Sequence, residues 1–92
     1  MDNLKPNEME NNQEINAFLS FVSEELQCNE SLSLSTEFRG LAQWSSLNAL
    51  LLVAAINERT DVMIHSGLLK EWTNFGDIYS YIFTHWDGTF TK

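Results

Sequence analysis

Two adjacent serines, Ser45 and Ser46, form the one arrangement in this chain that reads as covalent chemistry. They follow Trp44 and open an apolar stretch, LNALLLVAAI, with the look of a helix. A serine in the first turn of a helix offers its hydroxyl beside unpaired backbone N–H groups and the positive end of the helix. That environment suits the attachment of a phosphate-linked group. It equally suits an ordinary N-cap, so the pair by itself leaves both roles open.

Other chemistries are poorly served. A serine nucleophile needs a general base, and the chain has neither a Gly-x-Ser-x-Gly elbow nor a recognisable triad partner. No glycine-rich phosphate loop is present. His65 and His85 are not spaced with each other or with acids as metal ligands would be. Cys28, the only cysteine, has no flanking base to activate it and cannot form an internal disulfide. Trp44 and Trp72 read as core or edge aromatics. The residues support no intrinsic enzyme activity.

The elements that would position Ser45 and Ser46 follow from periodicity. Ile15, Phe18, Leu19, Val22 and Leu26 fall at i, i+3, i+4, i+7 and i+11, one stripe of a helix starting near Asn12. Residues 1–11, with Pro6 and a run of Asn and Glu, read as a disordered acidic tail. Residues 27–43 break the helical period. They read as a long loop anchored by Leu32, Leu34, Phe38 and Leu41, since the short Leu32/Leu34 alternation has no convincing partner strand. Ser45 caps a second helix running to about Arg59. After a turn and an extended piece at 60–64, Ser66 is placed to cap a single helical turn over 67–71. Asn74 and Asp77 have the spacing of a capping box for a last helix, with Ile78, Tyr81 and Ile82 on one face. Residues 85–92, with their Asp-Gly turn pair, read as a C-terminal tail.

The second helix is apolar on more than one side. Leu52, Val53 and Ile56, with Ala49, supply a core stripe, while Leu47, Leu50, Leu51 and Ala54 form a second set turned well away from it. That second face either binds a partner or an acyl cargo beside the serines, or is covered by Leu32, Leu34 or Phe38 of the loop.

Ninety-two residues make one domain with a small core. Only four glycines and one proline argue against a sheet protein with many tight turns. The net charge is −8, and residues 1–37 carry eight acids against Lys5 alone. Such a chain does not bind nucleic acid through its phosphates. Its acids either steer it towards basic partner proteins or only keep it soluble. The longest apolar run, residues 49–56, is far too short to span a membrane, and the N-terminus matches no secretory or transit signal. A cytoplasmic location is the expectation.

Taken in order, the helix, the long loop, Trp44-Ser45-Ser46-Leu47, Asp61-Val62-Met63-Ile64, the short helix and Gly76-Asp77-Ile78 resemble an acyl carrier protein over about residues 12–84. The family's signature is Asp-Ser-Leu at the start of its second helix. Ser46 and Leu47 match the Ser-Leu, and Ser45 takes the aspartate position. The resemblance implies an all-α, acyl-carrier-like bundle of three main helices plus one short helix, with a long loop between helices 1 and 2. It implies a carrier rather than an enzyme. A phosphopantetheinyl transferase would join 4′-phosphopantetheine from coenzyme A to Ser46, and the arm would hold acyl intermediates as thioesters for acyl-processing enzymes of fatty-acid or polyketide-like biosynthesis. Leu51 stands where a typical member has a glutamate, and Asn48 and Asn57 replace further acids. Partner binding through Leu47, Leu50, Leu51 and Ala54 should therefore be more hydrophobic and less salt-sensitive than in the family at large. The alternative is a carrier-fold protein that is never modified and acts as an interaction or oligomerisation module through the same leucines. The expected oligomeric state is a monomer or weak homodimer.

Overall fold

The computed structural model describes residues 6–91. Among them the chain is all-α: α1 (Pro6–Leu26), α2 (Ser46–Thr60), the short α3 (Ser66–Glu71) and α4 (Phe75–His85). A long connection between α1 and α2 carries one 3-10 turn, Phe38–Gly40. Three main helices, one short helix and the long loop are the architecture expected from periodicity.

The stripe on α1 faces the core as its spacing requires: Phe18, Leu19, Val22 and Leu26 are buried. Leu52 and Ile56 from α2 meet it, with Phe75, Ile78 and Ile82 from α4. Between α2 and α3 the chain alternates, with Val62 and Ile64 buried and Met63 exposed. Two helices end on a non-glycine residue in the left-handed region, Gln27 (φ 54°) after α1 and Asp61 (φ 64°) after α2. At Gln27 the Cys28 N–H donates to the Ser23 carbonyl (2.9 Å) and the Gln27 N–H to Glu24 (3.2 Å). This pair of bonds closes α1 as a Schellman motif and satisfies its terminal carbonyls.

Three boundaries differ from the sequence reading. α1 begins at Pro6 rather than near Asn12, because a proline at the first helical position loses no hydrogen bond and has its φ already set. The expected disordered tail is thus helical from Pro6, and residues 1–5 lie outside the described residues. His65, not Ser66, is the N-cap of α3, and it makes no side-chain capping bond. The C-terminal residues are not a free tail: Phe90 is buried against Phe18 and Phe21.

The long loop is held by the start of α4. The Gly76 N–H donates to the Leu34 carbonyl (2.8 Å), Phe75 N–H to Thr36 (3.2 Å) and Phe38 N–H to Thr73 (3.2 Å). Glu37 and Asn74 form an isolated antiparallel bridge. Gly76 permits this approach, since a Cβ there would lie 3.2 Å from both the Leu34 carbonyl oxygen and Asn74 Oδ1. The extended piece for which the sequence offered no partner strand pairs with residues 73–76, too short to read as a strand. Asn74 and Asp77 form the full capping box, so one four-residue device both starts α4 and holds the loop.

Candidate functional site

Of the two serines, Ser45 takes the capping role. Ser45 is the N-cap of α2: its backbone is extended (φ −150°, ψ 168°) and its hydroxyl oxygen accepts the Asn48 N–H at 3.1 Å. Ser46 is the first helical residue and is exposed. The Asn48 side chain donates to the Gln43 carbonyl at 2.6 Å, which ties the helix entrance to the end of the loop. Asn48, read from sequence as a missing surface acid, is thus a partly buried brace.

Beside the serines lies a pocket of about 380 Å³ between α2 and α3, within the range of small-ligand pockets. Trp44, Ala49, Leu50, Val53, Ile64 and Leu69 give it an apolar lining, and Ser45, Ser46, Arg39 and Lys70 contribute its polar groups. Trp44 is held by Phe38, with ring centroids 4.5 Å apart. Arg39 donates to the carbonyls of Trp72 (2.6 Å), Leu69 (2.8 Å) and Lys70 (2.9 Å). These bonds satisfy the last carbonyls of α3 and fix a cation at the pocket. No acidic side chain is among the lining residues, and the N-terminus of α2 favours an anionic group at Ser46.

The second apolar face of α2 is open. Leu47, Leu50 and Leu51 are 65%, 63% and 49% exposed, and Ala54 is exposed too. The loop does not cover them. Phe38 is wholly buried, Leu34 packs against the core beside the start of α4, and Leu32 packs against it beside Leu19 and Ser23 of α1. Leu50 belongs to both features, standing exposed on the helix and lining the pocket.

Arg39, Ile64, Leu69 and Lys70 were not foreseen as part of this site. Their only signal in the sequence is residue type, and tertiary contact alone brings them to the pocket beside the serines. His65 and His85 are exposed and separate, and no group of three or more possible metal-binding side chains occurs among the described residues. Among those residues no helix is long and apolar enough to cross a membrane. In comparisons with known proteins, no family model, no curated protein and no solved structure matches this chain.

Proposed function

We propose that this chain is an acyl carrier protein whose Ser46 takes a 4′-phosphopantetheine arm. The observation that carries the reading is the separation of the two serines. Ser45 is occupied in capping α2, whereas Ser46 presents an exposed side chain at the helix N-terminus, next to an apolar pocket. The residues present fit the group: Arg39 and Lys70 supply positive charge for a phosphodiester, and the Trp44, Val53 and Leu69 walls offer apolar surface to a cargo. The arm would supply a thiol that carries acyl groups as thioesters. In this reading the exposed Leu47, Leu50, Leu51 and Ala54 receive the transferase and acyl-processing enzymes, by apolar contact more than by charge.

The test is intact mass after incubation with coenzyme A, magnesium and a broad-specificity phosphopantetheinyl transferase. One added phosphopantetheinyl group is expected on the native chain and on Ser45→Ala, and none on Ser46→Ala. No uptake with several transferases, by a folded chain, would reject the reading.

The exposed leucines also favour a second reading, an unmodified interaction or oligomerisation module. It predicts concentration-dependent self-association by light scattering that Leu51→Glu abolishes. A monomer that binds no partner counts against it.

A further inference from the structure

The segment 86–91 is held to the helices by aromatic packing and by two side-chain hydrogen bonds. Phe90 lies among Phe18, Phe21, Phe83 and Trp86, with ring centroids 5.5, 5.3, 5.9 and 5.1 Å away. Its N–H donates to the Glu14 carboxylate on α1, a charge-assisted bond. Arg59, in the last turn of α2, stacks on Trp86 and Phe90 (5.6 and 5.2 Å to the ring centroids) and donates to the Thr89 carbonyl at 2.9 Å. Trp86 folds back over Gly88 so closely that a Cβ there would overlap the indole. One short segment thereby joins α1, α2 and α4.

Every one of these ties involves a side chain. Among the described residues, no backbone-to-backbone hydrogen bond links 86–91 to the helices. Detaching the segment therefore breaks one carboxylate bond, one guanidinium bond and a ring cluster, while the helical hydrogen bonds stay intact. Local opening of such a unit need not break the helices it rests on.

We propose that residues 86–91 are a latch that opens as one unit with the four helices still formed, uncovering an aromatic groove floored by Phe18, Phe21 and Phe83. Opening releases Glu14 and Arg59 together, because Phe90 and Thr89 hold both. The inference is independent of any role for Ser46.

Native-state hydrogen exchange on the full chain, read by NMR, tests it without any substitution. The Phe90 amide is expected to exchange at least roughly tenfold faster than the Ile78 and Ile82 amides, and at least roughly tenfold slower than an unstructured peptide. Exchange as slow as the α4 amides would show that the segment leaves only on global unfolding. Exchange at the peptide rate would show that it is not latched. Either result overturns the proposal. A second measurement uses Phe90→Ala: far-UV helix signal is retained while fluorescence of an added naphthalene-sulfonate dye rises. Loss of helix signal, or no rise in dye binding, would count against an opening confined to the latch.

Discussion

Ser45 accepts the backbone N–H of Asn48 at 3.1 Å, while the Asn48 side chain donates back to Gln43 at 2.6 Å. These two residues close the entrance of α2 from inside and outside the helix, and Ser46 between them carries neither bond. Ser45→Ala should lower stability by about 1 kcal/mol, the usual value of an N-cap, and Ser45→Asp should restore it. Ser46→Ala should stay within about 0.5 kcal/mol of the native chain, as exposed substitutions do. Urea denaturation of the three variants checks this. Equal losses at Ser45 and Ser46 would remove the division of roles between them.

Asp77 acts beyond its own helix. Its Oδ2 accepts the N–H groups of Thr73 (2.8 Å) and Asn74 (3.3 Å), and Asn74 is the bridge partner of Glu37. Asp77→Ala is expected to cost about 1–2 kcal/mol. It should also speed amide exchange at Phe38 and Phe75, whose N–H groups join the loop to the α4 entrance. Unchanged exchange there would confine Asp77 to helix capping.

Thr60 is the one buried polar side chain among the described residues. Its hydroxyl donates to the Ile56 carbonyl at 2.7 Å and accepts the Val62 N–H at 3.1 Å, turning the chain from α2 into the piece that carries Ile64. Thr60→Val keeps the shape but orphans the Val62 N–H, at a cost of about 1–3 kcal/mol. Thr60→Ser, which keeps both bonds, should lose less. Thermal denaturation of the pair separates hydroxyl from methyl.

Burial holds the Tyr79 hydroxyl above its ordinary pKa, and the nearby Glu14 carboxylate adds to the effect. The folded state therefore keeps this proton to higher pH than the unfolded chain does. Its stabilising contribution is whole below about pH 10, the unfolded value, and is lost as pH rises through the raised folded value. Stability should fall above pH 10 in the native chain and fall less steeply in Tyr79→Phe. Parallel alkaline curves for the two would remove Tyr79 as the cause.

What was readable in the sequence shares one property: it depends on neighbours within about one helical turn. The stripe from Ile15 to Leu26, the cap at Ser45 and the Asn74–Asp77 box are all of this kind, and each stands in the structure as the spacing predicts. The doubly apolar α2 was legible too, since it follows from residue order on a cylinder. Whether its outer face was covered was not legible. The answer turned on whether the loop leaned towards α2 or α4, and that was decided by Gly76 admitting the Leu34 carbonyl and by the Glu37–Asn74 bridge.

The composition of the site was likewise out of reach. Arg39 meets the carbonyls of residues 30 to 33 positions away, and Phe90 meets Glu14 from 76 positions away. No periodic pattern marks such pairs, because a side chain's type does not say which distant surface it will reach. The sequence alone determined the four helices and the caps of α2 and α4, through local hydrogen bonding and the helical repeat. The tertiary structure alone decided that a cationic, apolar pocket adjoins Ser46 and that the last residues lock onto α1. Both features exist only once packing has brought separate segments together.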